Sequence, residues 1–152
     1  MIQRIQTIYL LLAGVMPAFT FCLPLARFTQ DEQTCLLYGC HYDAAQMAEM
    51  AGRHPFGLAV LGLLALLLPL IAIGGFKNRT RQLRQTHWAV ALQVGWLLTY
   101  AAYSLSVANR TGADFTPGIG LAFPLLAIIL LLLAARGIRK DEALVRAADR
   151  IR

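Results

Sequence analysis

A chain of 152 residues is long enough for one small domain, and 58 % of its residues are hydrophobic while only 14 % are charged. An average soluble domain has roughly 45–50 % apolar and about 25 % charged residues, so this chain has too little polar surface to cover a soluble globule. The net charge of +6 lies at the ends of apolar runs and not on one soluble face. That distribution argues against nucleic acid as a partner and predicts an integral membrane protein in contact with lipid.

The first apolar segment predicts a transmembrane helix over residues 6–26. The start of the chain, with Arg4, resembles a signal peptide, but the apolar stretch is too long for one and no small-x-small cleavage site follows it. We therefore expect an uncleaved helix. Pro17 and Pro24 lie inside this helix or near its end and predict a kink or an early stop.

The polar stretch 27–55 is the longest connection and is expected to lie outside the membrane. Asp43 is typical of a helix N-cap, with Gln46 three residues on. Met47 and Met50 then fall on one helical face before Gly52 ends the pattern. We expect a short amphipathic helix here, lying on the outer leaflet or covering the bundle.

Three further apolar segments predict transmembrane helices over residues 56–76, 88–108 and 117–135. Each is long enough to cross roughly 30 Å of hydrocarbon at about 1.5 Å per residue. With the first segment they predict an all-α membrane protein, a single domain whose four helices form an antiparallel bundle. A loop over 77–87 joins the two hairpins.

The basic residues predict which way this bundle faces. Of the 14 Lys and Arg residues, only Arg27, Arg53 and Arg110 fall on the side of the outer loop. Because cytoplasmic flanks are enriched in Lys and Arg, both termini are expected in the cytoplasm of a bacterial cell, below its inner membrane. The loop residues that set this topology are Lys77, Arg79, Arg81 and Arg84.

The tail 136–152 is expected to continue the last helix into the cytoplasm. An apolar stripe recurs at helical spacing between charged positions, and Glu142 precedes Arg146 by four residues, the favourable order for an ion pair. The tail is predicted to lie along the lipid surface or to dock on a partner protein. The residues of this surface are Leu144, Arg146, Ala148, Arg150 and Ile151.

The two ends of the chain carry a family resemblance. The start MIQRIQTIYLLLA and the tail RKDEALVRAADRIR resemble the family called domain of unknown function 4293. The resemblance implies a small four-span protein of the inner membrane of Gram-negative bacteria, with a tail that matters to its members. It implies no activity, and the outer loop 27–55 has no pattern that matches.

The cysteines offer a candidate disulfide. Cys35 and Cys40 lie in the outer loop with four residues between them, and an oxidising periplasm would allow them to pair. The short ring would stabilise the fold by about 2 kcal/mol. Four-span thiol oxidases share this topology, but they need a reactive CxxC motif and a second cysteine pair. A structural disulfide or free thiols are therefore favoured over redox catalysis.

Metal and cofactor sites are not predicted. Cys35, Cys40, His41 and His54 could be drawn as a zinc site, but the spacing departs from that of zinc knuckles. The sequence has no P-loop, dinucleotide fingerprint, serine elbow or HExxH motif, which are the common signatures of cofactor binding and catalysis.

The third span is the most polar of the four. Gln93 is its strongest polar group, and Thr99, Tyr103 and Ser106 are spaced to share a face, so these four side chains could line a small polar cleft. Helix packing is the favoured interpretation, because amides and hydroxyls readily bond to neighbouring helices or to the backbone. No Asp, Glu, Lys, Arg or His lies well inside a span, so the usual mark of ion transport is missing.

These observations predict a non-enzymatic accessory or scaffolding subunit that binds another inner-membrane protein. The first alternative is a small carrier that binds a lipid, a quinone or a solute at the polar face of the third span. The second alternative is a periplasm-facing thiol oxidoreductase that uses Cys35 and Cys40.

Overall fold

The structure is a computed structural model that describes residues 2–30, 33–43, 54–75 and 78–149. Its helices are α1 (Ile2–Val15), α2 (Phe19–Cys22), α3 (Phe56–Gly74), α4 (Arg79–Thr111) and α5 (Ala122–Asp149). Its strands are β1 (Ala26–Gln30), β2 (Gln33–Leu37) and β3 (Asp114–Pro117). Two 3₁₀ turns, Met16–Ala18 and Ile119–Leu121, precede α2 and α5.

The long helices form an antiparallel bundle in which α1 and α4 each pack against both α3 and α5. We call one end of the bundle the terminal end, because α1 begins there and α5 ends there. The hairpin between α3 and α4 lies at the same end, where Arg79 of α4 contacts Asp141 of α5. The opposite end carries the strands and is called the sheet end. Both ends of the described chain therefore lie on one side of the bundle.

Within the described part of the chain, four helices are long and apolar enough to cross a membrane. The spans are Ile5–Cys22, Phe56–Gly74, Arg79–Thr111 and Ile119–Val145, with mean hydropathies of 1.7, 2.7, 1.3 and 2.4. Large apolar side chains such as Leu98 (67 % exposed) point away from the bundle, as expected where lipid replaces water. The structure thus confirms the prediction of a mostly helical fold with four helices that could span a membrane.

The prolines of the first span end it early. The regular helix stops at Val15, a 3₁₀ turn holds Pro17, and α2 ends at Cys22. Leu23 is extended, with φ −111° and ψ 145°, which is the conformation favoured before a proline such as Pro24. The chain then enters β1 at Ala26 and not, as the sequence suggested, a helix that continues to this residue.

The segment 77–87, expected as a loop, is helical from Arg79 onward. Asn78 is the N-cap, and its side-chain oxygen accepts a hydrogen bond of 3.1 Å from the backbone N–H of Arg81. The Arg, Gln and Leu residues that follow this N-cap have high helix propensity and therefore favour the helix. As a result, the basic residues from Arg79 to Arg84 extend the third span beyond the apolar segment.

A three-stranded antiparallel sheet departs from the all-α prediction, which is wrong on this point. β1 is the central strand and pairs with both β2 and β3, so that Phe28 lies opposite Cys35 on one side and Phe115 on the other. Ala26 and Phe28 are buried while Arg27 and Thr29 are exposed. This alternation with period two is the pattern of a strand that covers a core on one face.

The sheet is built partly from residues expected to be helical. β3 contains Pro117, the predicted first residue of the fourth span, and α5 begins only at Ala122. The amphipathic helix predicted after Asp43 falls on residues 44–53, outside the described residues. Asp43 itself follows β2, and its backbone N–H donates to the carbonyl oxygen of Leu36 over 2.9 Å.

Candidate functional site

At the sheet end, two aromatic side chains of α4 hold the strands and α3 in place. The Trp96 Nε1–H donates to the carbonyl oxygen of Leu58 over 2.9 Å, and the Tyr100 hydroxyl donates to that of Leu25 over 2.7 Å. Both rings are buried, and they stack with a centroid distance of 6.0 Å. Since each ring covers a large apolar area and its polar atom is bonded, α4 fixes the position of the sheet.

Among the described residues near this core, the Tyr42 hydroxyl has no hydrogen-bond partner. Tyr42 is 8 % exposed. Burial raises the pKa of Tyr42 from 10.0 to about 12, with smaller contributions from Tyr103 and Cys35. The phenol is therefore neutral at physiological pH, and it is a poor proton donor or nucleophile.

The four polar residues predicted to line a cleft on the third span are not gathered into one site. Gln93 is buried in the bundle, whereas Ser106 is exposed. The Thr99 hydroxyl donates to the Gly95 carbonyl of its own helix over 2.8 Å, and the Tyr103 hydroxyl donates to the His54 carbonyl over 3.4 Å. The hydroxyls of Thr99 and Tyr103 thus bond to backbone carbonyls, which is a structural role.

The two cysteines of the outer loop lie in different environments. Cys35 is 1 % exposed in β2, whereas Cys40 is exposed after the strand, and both are free thiols in the structure. The Cys40 Sγ lies 3.3 Å from the His41 Nδ1. Of the two alternatives left open by the sequence, a disulfide or free thiols, the structure has free thiols, and Cys22, the third cysteine, is also a free and exposed thiol.

At the terminal end, Asp141 is the centre of a polar cluster that the sequence did not predict. Asp141 is 6 % exposed, as is Gln6, whose Nε2 donates to Asp141 Oδ2 over 2.8 Å. Arg79 Nη1 lies 3.9 Å from the same oxygen. Ala134 and Ile138 are also buried, so Asp141 continues their stripe at helical spacing, and this period was the available signal.

Two exposed contacts surround this cluster. The Thr80 hydroxyl donates to Glu142 Oε1 over 3.2 Å, and Arg139 Nη2 lies 2.8 Å from His87 Nε2. Because a guanidinium can only donate, a hydrogen bond at this contact requires His87 Nε2 to accept. With the Gln6–Asp141–Arg79 contacts, these bonds join α1, α4 and α5 at one end of the bundle.

The basic residues expected to set topology differ in their surroundings. Arg79 is partly buried against Asp141, while Arg81 and Arg84 are exposed. Lys77 lies outside the described residues. All three described arginines are on α4 at the terminal end.

The predicted tail surface is helical as far as Asp149. Leu144 is 57 % exposed and its neighbour Val145 is 44 % exposed. The backbone of Arg146 and Ala148 belongs to α5, but the structure does not describe their side chains, and Arg150 and Ile151 lie outside the described residues. Thus one residue of the predicted apolar stripe, Leu144, is seen to be exposed.

Among the described residues, no group of three or more His, Cys, Asp or Glu side chains is placed to hold a metal ion. The terminal end combines a buried polar cluster with an exposed apolar helix. Such an arrangement can fix the direction of a helix and present it to another molecule.

A comparison with family models shows the family of this chain. The model of the family described as Domain of unknown function (DUF4293) matches residues 2–151. The chain belongs to the DUF4293 family.

The DUF4293 match covers both ends and the middle of the chain, including the outer loop, in which no family pattern was recognised from the sequence. The family's description names no activity, so membership alone assigns no chemistry. No curated protein matches the sequence. Functional inference therefore rests on the geometry of the bundle.

Proposed function

We propose that this DUF4293 protein is a non-enzymatic accessory subunit that binds another membrane protein through the end of α5. The observation that carries the proposal is the exposure of Leu144 and Val145 on a helix that continues to Asp149. Although the candidate span is printed as far as Val145, residues 139–142 are all charged and separate these two side chains from the apolar run of the helix. Outside the hydrocarbon, two adjacent exposed apolar side chains are unfavourable, and a partner that covers them gains the free energy of their burial.

The direction of this helix is fixed, which supports docking. Asp141 lies less than one turn before Leu144, and its carboxylate is held by Gln6 of α1 and by Arg79 of α4. A surface held on a rigid element loses less conformational entropy on binding than a flexible tail would. The buried cluster therefore acts as a structural support for the docking surface.

We further propose that the protein lies in the bacterial inner membrane of a Gram-negative cell, with both termini in the cytoplasm. The terminal end of the bundle carries three described arginines on α4 and the basic residues Arg136, Arg139 and Lys140 on α5, whereas the sheet end carries Arg27 and Arg110. Helical proteins of the bacterial inner membrane are oriented by such an excess of Lys and Arg on the cytoplasmic side.

The proposal is tested by purifying the protein in mild detergent, with an affinity tag before Met1, and separating the sample by size exclusion. We expect a second membrane protein at constant stoichiometry. The double variant Leu144→Glu/Val145→Glu should lose it, because two carboxylates cannot be covered by an apolar partner surface without a large desolvation cost.

The matched control is Ala143→Glu, which is compared with Leu144→Glu alone and adds the same charge at an exposed position that does not share a face with Leu144 or Val145. This control should retain the partner. Capture that survives Leu144→Glu/Val145→Glu would contradict docking through the tail. A wild-type chain that elutes alone would contradict the accessory function itself.

A further inference from the structure

An open groove of about 470 Å³ runs along the first turns of α4. Residues spaced by three or four positions share one face of a helix, and the lining of the groove follows this spacing. At about 1.5 Å per residue, the groove extends about 16 Å along the helix axis. Its lining residues are Thr80, Leu83, Arg84, His87, Trp88 and Ala91.

Apart from Leu83 near the outer end, the lining of the groove changes from polar to apolar along the helix. Thr80 lies at the outer end, Arg84 and His87 follow, and Trp88 and Ala91 lie deepest toward the apolar part of the span. Trp88 is 66 % exposed, and exposed indole rings favour the boundary between lipid headgroups and hydrocarbon. A phospholipid presents the same sequence of properties, from a charged headgroup to apolar chains.

The charges around the groove favour an anionic ligand. Arg84 is exposed in the lining, and Arg139 of α5 brings a second guanidinium to the same level by its contact of 2.8 Å with His87. Neither of the two carboxylates described at this end contacts Arg84 or Arg139, although Glu142 lies at the outer end of the groove. Asp141 faces the interior toward Gln6, and Glu142 contacts Thr80, one helical turn outside Arg84.

We propose that this groove binds an anionic phospholipid, with the phosphate between Arg84 and Arg139 and an acyl chain against Trp88 and Ala91. Guanidinium groups bind phosphate oxygens through charge-assisted hydrogen bonds, and basic residues at the end of a membrane helix attract anionic headgroups. A choline headgroup would bring a further cation beside two arginines and is disfavoured. The site is separate from the docking surface at Leu144 and does not require a particular orientation of the bundle.

The experiment measures lipid binding by native mass spectrometry of the detergent-purified protein, titrated with phosphatidylglycerol or with phosphatidylcholine. The wild-type protein should bind phosphatidylglycerol more tightly than phosphatidylcholine. The variant Arg84→Gln/Arg139→Gln should weaken phosphatidylglycerol binding about tenfold, because each basic residue near an anionic lipid surface contributes several-fold to affinity. Binding of phosphatidylcholine should not change.

The control variant is Arg81→Gln/Lys140→Gln, which removes the same charge from exposed positions of the same two helices. It should bind phosphatidylglycerol as the wild type does. Equal affinity of the wild type for the two lipids would overturn the proposal, as would equal loss in the two double variants. The thermal midpoints of all three proteins are compared first, since exposed substitutions of this kind change stability little.

A second measurement locates the acyl chain. Trp88 is exposed and Trp96 is 1 % exposed, so a brominated acyl chain in the groove should quench the emission of Trp88. In nanodiscs of phosphatidylcholine with a minor fraction of brominated lipid, brominated phosphatidylglycerol should quench more than brominated phosphatidylcholine. Trp88→Phe should remove the difference. Equal quenching by both lipids in the wild type would contradict a selective site.

Discussion

Gln6 and Asp141 are 135 positions apart in the sequence, yet Gln6 Nε2 donates to Asp141 Oδ2 over 2.8 Å inside the bundle. The contact joins the first helix to the last at the end where the chain begins and ends. A buried carboxylate loses its hydration, and here the amide of Gln6 and the guanidinium of Arg79 replace part of it. The contacts of Asp141 with Gln6 and Arg79 hold the proposed docking helix in its orientation.

Gln6→Ala and Asp141→Ala should each lower the free energy of unfolding by about 1–3 kcal/mol, because each leaves a buried polar partner without its bond. The double variant should cost less than the sum, with a coupling energy of about 1 kcal/mol or more. The free energy of unfolding is measured by thermal unfolding in detergent for the wild type, the two single variants and the double variant. Thr80→Ala, which removes an exposed hydrogen bond of 3.2 Å, is the control and should cost less than about 0.5 kcal/mol. Strict additivity of the two changes would show that the contact contributes nothing.

Tyr100→Phe should destabilise the sheet end by about 1 kcal/mol or more, because it removes a buried hydrogen bond of 2.7 Å to the Leu25 carbonyl. Tyr103→Phe makes the same chemical change one turn away, where the bond to His54 is exposed and 3.4 Å long. Its effect should be near zero. The two variants are compared by chemical denaturation in one detergent, and equal costs would contradict the geometry at Leu25.

Tyr42 should make stability depend on pH in the alkaline range. In the fold its pKa is raised to about 12 from the ordinary tyrosine value of 10.0, so between these values the unfolded chain loses the proton while the folded chain keeps it. The free energy of unfolding should therefore fall as pH rises from about 10 to about 12. Tyr42→Phe should make this fall shallower and should cost little at pH 7, since the hydroxyl has no partner. An unchanged slope would contradict the burial of the phenol.

Ser104→Ala is the matched control for Tyr42→Phe. It also removes a buried hydroxyl, but it removes no titrating group. Its slope between pH 10 and 12 should equal that of the wild type.

The thiols of the outer loop test both the sheet and the proposed orientation. In a Cys22→Ser background, a membrane-impermeant maleimide added to intact spheroplasts should label the exposed Cys40 and leave the buried Cys35 unmodified. Cys40→Ser should abolish the signal, and denaturation should expose Cys35. Labelling that requires prior reduction would establish the Cys35–Cys40 disulfide instead. Labelling that requires permeabilised cells would reverse the proposed orientation.

The helices were readable from the sequence and the sheet was not, for physical reasons. Each span is an apolar run longer than any strand, and length with hydropathy is enough to recognise it. The strands are only four or five residues long. β3 follows α4 and pairs with β1, which precedes α3, so its partner is separated by two spans. The alternation of Ala26, Arg27, Phe28 and Thr29 was a usable signal for β1, although it is too short to decide against a helix end.

The polar cluster was hidden for a different reason. Gln6 and Asp141 each stand beside an apolar segment, where polar residues normally face lipid headgroups or water. Only the packing of α1 against α5 shows that the two side chains face each other and are buried. The exposed Leu144 was predicted because its spacing from charged neighbours is a local property. Local patterns were therefore predictable, whereas long-range polar pairs were not.

Photo-crosslinking from the end of α5 tests the proposed accessory function most directly. A benzoylphenylalanine placed at position 144 in cells, and irradiated before lysis, should form a covalent adduct with one membrane protein. The same residue placed at position 119 is the control, since Ile119 is 70 % exposed but lies next to the strands at the sheet end. One specific adduct from position 144, absent from position 119, is the predicted result. No protein adduct from position 144, under conditions where the variant is expressed and inserted, would contradict the account.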